Sequence, residues 1–394
     1  MHPLLAAAAA GSAPFFASSL RMGTALTPPG AGSGAPMASV ADVFRSDFFH
    51  ANTLTWRAFS MPEIPRQAGN LDLLQEIGIP TTNAEVVREE LDLRLIFTSD
   101  PFGEGQQVDR DVRDVIDLPP ITLKEHFHIR TADLQNLLRI DDAGLQLETM
   151  ETMLNERMFK ALSQMALADE FHLIQLLKGK IFDADYTTPL YDFYTTFGVA
   201  NQGVQAFDFG AATSGILRNP FYLYCDTIIQ MMRAAARTDI KEIRCFCGKN
   251  FWQGLIQLPE ILVTLMYPDS ARLGERRTFR PIDYGGIIFE QYVGSVPNTK
   301  GDTIDFVAPN EAIFFPVTWA AADPRFTPGR IFHRVFTPGK NPPASALNKP
   351  GLPLYIRTST EQSSDPKWLR VDMESHRVYF TSRPRALIQG LRTG

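Results

Sequence analysis

Cysteine is scarce. Cys225, Cys245 and Cys247 are the only three among 394 residues, too few and too odd in number for the disulfide framework of a secreted domain. Basic charge is also in deficit: 38 Lys and Arg stand against 44 Asp and Glu, a net charge of −6, so the chain carries no global basic footprint of a nucleic-acid binder. No apolar run is long enough to cross a bilayer. The nearest is Leu4–Ala10, with only His2 before it where a signal peptide carries basic residues. Met1–Ala35 is a mixture of Ala, Gly, Ser and Pro, so residues 1–37 read as a disordered extension, or as sequence ahead of a start at Met37. Catalytic motifs are missing too. Gly248-Lys249 and Gly339-Lys340 lack the earlier glycine and the following Ser or Thr of a phosphate loop. Gly30-Ala31-Gly32-Ser33-Gly34 follows no strand, and no GxSxG nucleophile elbow occurs.

What is present suits a folded protein with a sizeable core: 44% hydrophobic and 21% charged residues, with 28 Phe and 28 Pro. The length accommodates two or three domains. The dominant stretch is Leu145–Lys178, free of Pro and Gly and rich in Met, Leu, Ala, Glu and Gln, all good helix formers. Leu147, Met150, Leu154, Met158, Leu162 and Met165, then Leu173, Leu176 and Leu177, recur at three-and-four spacing and predict one buried stripe. Gly179 follows at the usual C′ position, with Lys178 at the negative end of the helix. Such a helix spans roughly 50 Å, enough to tie two lobes together. His172 reads as solvated or facing a partner, and Glu156, Arg157 and Lys160 as surface.

Around it the chain alternates between arms and compact regions. Ala38–Arg66 has helical patches broken by Pro62 and Pro65, and Leu71–Gly78 reads as a short amphipathic turn. Residues 81–125 predict a long hairpin, with Leu91–Phe97 as one strand, turn chemistry at Asp100-Pro101-Phe102-Gly103-Glu104-Gly105, and a return strand from Val108 to Ile116 that stops at Pro119-Pro120. This segment holds eleven acids against five bases. A hairpin so polar on both faces is poorly anchored by its own burial and reads as solvated or as an arm reaching a neighbour. Ile121–Ile129 predicts a strand, Lys180–Tyr194 a strand–turn–strand, and Gly198–Gly215 a loop. In the second compact region Pro220–Arg237 predicts a helix with Leu223, Ile228 and Met231 inward. Ile243–Cys247, Ile287–Val293 and Ile313–Val317 predict strands, and Asn250–Met266 a helix kinked at Pro259. Three strands at Leu354–Thr358, Trp368–Met373 and His376–Thr381 then rejoin the first lobe. The class is α+β, with the second lobe inserted in the first.

Few residues suggest chemistry. His126 and His128 share one face of a strand, and a metal site would need further ligands such as His333. Cys245 and Cys247 also share a face, but no second cysteine or histidine pair accompanies them, so they read as buried thiols. Arg276, Arg277 and Arg280 form a basic loop suited to phosphate, an acidic neighbour or solvent.

Several segments, in order, carry a family likeness: LKGKIFDAD (Leu177–Asp185), CGKNFWQGLIQLPEI (Cys247–Ile261), YGGIIFEQYVGSV (Tyr284–Val296), NEAIFFPV (Asn310–Val317), the Phe-Thr-Pro-Gly loop at Phe336–Gly339, LPLYIRT (Leu352–Thr358) and HRVYFTSRPRALIQGL (His376–Leu391). Through them the chain resembles the lambda-type phage major capsid proteins, the capsid protein E family. The resemblance implies an HK97-like fold with residues 38–80 as N-arm and 81–125 as E-loop. It implies a peripheral domain at 126–218 with spine helix 145–178, an axial domain at 219–326, and peripheral completion by 327–394. It further implies a non-enzymatic shell protein without a cofactor. Hexamers and pentamers would form an icosahedral head in the virion, assembled in the host cytoplasm. The implied partners are a decoration protein, a scaffold, a portal and diffusely held double-stranded DNA, with no membrane. The E-loop tip, Asp100–Glu104, and candidate contacts Asp109, Asp111, Arg276, Arg277 and Arg280 would serve assembly. The hairpin has no Lys at its tip, which speaks against a covalent crosslink. Two alternatives remain at this point: an encapsulin-like protein-packaging shell, and a metal-dependent hydrolase using His126, His128 and His333.

Overall fold

The computed structural model describes residues 51–61, 66–89, 113–130, 132–133, 143–210, 220–236, 239–259, 261, 281–297, 303–319, 330–339, 349–361 and 367–393. In chain order these give helix α1 (Ala51–Ser60) and strands β1 (Leu74–Gly78), β2 (Ala84–Glu89), β3 (Arg113–Leu118) and β4 (Ile121–Arg130). The long helix α2 (Ala143–Lys178) follows, then β5 (Lys180–Phe182), β6 (Pro189–Asp192), the short α3 (Phe193–Thr196) and β7 (Val204–Asp208). Next come α4 (Pro220–Ala236), β8 (Ile240–Cys247), α5 (Lys249–Gln257), β9 (Ile282–Tyr284), β10 (Ile287–Gln291), β11 (Ser295–Pro297), β12 (Thr303–Asp305) and β13 (Glu311–Thr318). The chain continues through β14 (Phe332–Phe336), β15 (Tyr355–Thr360), β16 (Trp368–Thr381) and β17 (Ile388–Thr393).

Two sheets organise these elements. In the first, β16 is the spine. It pairs antiparallel with β4 along one edge, and with β15 and then β14 along the other. β1 adds parallel to β14. The segment containing Leu74–Gly78 is therefore a strand and not the amphipathic turn its sequence suggests; ladder bonds to β14 override a weak local pattern. The two strands expected at Trp368–Met373 and His376–Thr381 are one strand of 14 residues. Glu374 and Ser375 carry no breaker, and both stay in register with β4, opposite Lys124 and Leu123.

The second sheet has the order β7-β17-β13-β8-β10-β9. Its central strands, IKEIRCFC and EAIFFPVT, are near-continuous apolar runs, as strands covered on both faces require. Ile243, Cys245, Cys247, Ala312 and Phe314 turn to the core under α4 and α5, while Phe246, Ile313 and Phe315 turn to the core around α2. Sheet membership does not follow chain order. Val204–Asp208, read from sequence as loop, is an edge strand, and β17 pairs between β13 and β7 rather than joining the first sheet. On α4, Phe221, Cys225, Ile228 and Met232 point inward; Leu223, expected there, is exposed. The cysteines are buried free thiols, as read.

The hairpin base is seen as β2 paired with β3, from Ala84 opposite Leu118 to Glu89 opposite Arg113. Ala84 and Leu118 are buried in the main core, with Val86 and Ile116 against it, so the base is better anchored than its charge suggests. The strand expected at Leu91–Phe97 lies outside the described residues.

The long helix has 36 residues, about 54 Å at 1.5 Å per residue. Its middle packs Leu154, Met158, Ala161 and Met165 on Ile129, Ile356, Leu369, Val371 and Met373 of the first sheet, where α1 adds Leu54 and Ala58. Its second half enters a different core, with Phe171, Ile174 and Leu177 among Phe246, Ile313 and Phe315 of the second sheet. One helix thus serves both lobes. Gly179 ends it at φ +81°, and a Cβ there would lie 2.5 Å from the Tyr194 ring. Only glycine meets both demands without strain.

Candidate functional site

From Thr152 to Leu167 α2 is amphipathic, with Glu156, Phe159 and Lys160 exposed. From Asp169 to Lys178 every residue is buried. The apolar residues of FHLIQLL surround the helix on all sides, leaving no face for solvent. Asp169, Glu170, His172, Gln175 and Lys178 must therefore find partners inside the protein.

Asp169 sits at the centre. Its Oδ2 accepts from Arg66 at 2.5 Å and Arg334 at 2.6 Å; its Oδ1 meets Arg377 at 2.6 Å and accepts from the Tyr379 hydroxyl. Burial alone would raise the carboxyl pKa. The guanidiniums of Arg334, Arg377 and Arg66 and the Tyr379 hydroxyl reverse that and hold it well below the usual carboxylate range. Arg334 also pairs with Glu76 on β1. Glu170 accepts backbone N–H bonds from Ala68 at 2.7 Å and Gly69 at 3.0 Å, and the Tyr292 hydroxyl at 3.1 Å. One turn on, Gln175 Oε1 accepts from Phe182 N at 2.6 Å. Lys178 Nζ donates to Glu311 Oε2 of β13 at 2.7 Å, and its carbonyl accepts from Gln389 of β17 at 2.9 Å. Three turns of one helix thereby fasten the arm at 66–69, the first sheet and the second sheet.

His172, expected to be solvated or partner-facing, is buried in this hub. Its ring centroid lies 5.9 Å from that of Tyr379 and 5.8 Å from that of Phe171. Burial pushes its pKa down to about 4, partly opposed by Asp169. Among the described residues its Nδ1 has no hydrogen-bond partner. The readable signal was the absence of a polar face in 171–177.

The three histidines of the metal alternative do not converge. His126 and His128 do share a face of β4, with ring centroids 5.5 Å apart. They lie opposite Asp372 and Arg370 of β16, however, whereas His333 lies opposite Phe380. Eight residues of strand separate Asp372 from Phe380, about 26 Å at 3.3 Å per residue. His333 stacks on the Phe380 ring at 4.6 Å, and burial lowers its pKa to about 4. Among the described residues no group of three or more His, Cys, Asp or Glu could hold a metal ion, and no helix is long and apolar enough to cross a membrane. Asp100, Pro101, Phe102, Gly103, Glu104, Asp109, Asp111, Arg276, Arg277 and Arg280, the residues singled out for assembly, all lie outside the described residues.

Fold and hub together define a mixed helix-and-sheet protein whose buried charges fasten its own segments to one another. Residues 50–391 match the family described as phage major capsid protein E, and the chain belongs to that family. It is a shell-forming phage capsid protein, and its place is the virion. Solved structures similar to it include a prophage capsid protein from E. coli CFT073 (11% identity, TM-score 0.49, covering 87% of this chain and 99% of that one). Another is the capsid of cyanophage P-SCSP1u (11% identity, TM-score 0.46, covering 85% and 90%). The family match, not these likenesses, carries the assignment. No curated protein matches the chain.

Proposed function

We propose that the chain acts mechanically, with no catalytic step, as the repeating tile of an icosahedral head built from its hexamers and pentamers. The observation that carries this reading is the family match over residues 50–391. Residues 38–80 are its N-arm and 81–125 its E-loop. Residues 126–218 and 327–394 are its peripheral domain, and 219–326 its axial domain. The hairpin leaves the core at Ala84 and Leu118, and its tip, Asp100–Glu104, reaches an adjacent subunit. There its acids, Asp109 and Asp111 among them, meet Arg276, Arg277 and Arg280. Many modest, symmetry-repeated interfaces supply the stability that one pair would lack.

In this reading assembly takes place in the host cytoplasm, with a scaffold and a portal. A decoration protein, rather than a covalent crosslink, reinforces the shell. Double-stranded DNA inside is held by diffuse, salt-sensitive contact. Negative-stain microscopy of the expressed chain, alone and with its scaffold, tests the proposal. Closed shells are expected, and persistent monomers under both conditions would overturn it.

A further inference from the structure

Two of the three thiols in the chain face each other. Cys245 and Cys247 are two residues apart on β8, an interior strand of the second sheet, so both side chains point to the same face. Both are fully buried, and their Sγ atoms lie 3.6 Å apart. The strand is held on both sides. Cys245 stands between Phe289 of β10 and Phe314 of β13, and Cys247 between Gln291 and Ala312. The core around the pair is apolar, with Phe251, Leu255 and Ile287 among its members. Cys225 of α4 belongs to the same core, but no cluster of three ligands results.

Spacing decides what such a pair can hold. Alternate residues of a strand repeat at about 6.6 Å. Thiols at 3.6 Å therefore lean towards each other, and rotation about their Cα–Cβ bonds can spread them without moving the backbone. A soft ion at about 2.3 Å from each sulfur, on a straight line between them, needs about 4.6 Å, which lies inside that range. Zinc is a poor fit, because it takes four ligands and the pair supplies two. Charge selects further. Two thiolates around a monovalent ion would leave one negative charge in an apolar core, which is costly to bury. A divalent ion leaves none. Burial holds the Cys245 thiol well above its ordinary pKa, so its proton leaves only as the bond to the metal forms.

We propose that Cys245 and Cys247 form a two-coordinate site for a divalent thiophilic cation, held linearly between their sulfurs inside the second sheet. Binding breaks two S–H bonds, forms two S–metal bonds and releases two protons to solvent, with no oxidation or reduction. The ion enters by local opening, so uptake is slow. Mercuric ion is the probe, added to the full, unassembled chain carrying Cys225→Ala, in which the pair supplies the only thiols. A wash with a small monothiol then strips ion held by one sulfur alone. Native mass spectrometry should show one ion retained per chain, and titration at constant pH should count about two protons released for each. The melting temperature should rise by about 5 °C at saturation. Adding Cys245→Ala or Cys247→Ala should abolish retention, and Cys245→Ser, which nearly preserves side-chain volume, serves if the alanine chains fail to fold. Ion retained by a single-thiol chain after the wash, release of only one proton, or a melting temperature that does not rise would overturn the proposal. The site owes nothing to the shell reading, which microscopy tests separately.

Discussion

His172 and His333 place a pH dependence inside the fold. His172 is buried and His333 half-buried, with folded-state pKa values near 4, against about 6.5 in the unfolded chain. Between pH 6.5 and 4 the unfolded chain binds more protons than the folded one, so stability rises with pH in that window and falls on acidification. Each histidine contributes a slope of up to about 1.4 kcal/mol per pH unit there. His376, also lowered by burial, acts in the same direction. Asp169 works in a separate window: its depressed carboxyl adds stability that is lost only below about pH 4. Denaturant titrations of the unassembled chain from pH 7 to 4 should show this loss, and His333→Phe, which keeps the stack on Phe380, should flatten it. An unchanged slope in that variant would rule His333 out. Beyond the missing polar face of 171–177, none of this was legible in the sequence. A histidine or aspartate on an amphipathic helix reads as surface, and only the tertiary partners, from residues as distant as Arg66 and Arg377, make it core.

At the scale of the element, α2 and its exit carry the design. The helix was plain in the sequence: periodic apolar residues, no breaker over 34 residues from 145 to 178, and Gly179 at the end. The structure extends it only to Ala143. Gly179→Ala should cost about 1–2 kcal/mol for the left-handed backbone alone, and more from the Tyr194 ring at 2.5 Å. Thermal unfolding of the unassembled variant measures this, and a melting temperature equal to wild type would contradict the glycine's role. The strands were read less well, for physical reasons. Leu74–Gly78 and Val204–Asp208 are edge strands whose pairing depends on partners far along the chain, around Phe332 and Gln389, so local pattern underdetermines them. Trp368–Thr381, expected as two strands, is one, with Glu374 and Ser375 alternating through the sheet.

For the whole molecule, the compact regions announced themselves by apolar runs, but sheet membership did not follow chain order, as β7 and β17 show. The residues proposed for assembly lie outside the described residues. The acidic hairpin and the basic loop at 274–280 pose the question in charge terms. Exchanging Arg276 and Arg277 together for Glu sets like charges against the hairpin and should lower shell yield several-fold at low salt, an effect that screening reduces. Sedimentation of assembly reactions across salt concentrations reads this out; yield equal to wild type would reject the pairing.

The placement of β17 also sets an order in time. The strand lies between β13 and β7, where the stacked rings of Phe207 and Phe314 close on Gly390. Every other strand of that sheet leaves the ribosome first, and domains generally fold as units during synthesis, N-terminal first. Here the second sheet stays open until residues 388–393 have emerged. A nascent subunit therefore lacks a finished second sheet until β17 has been made.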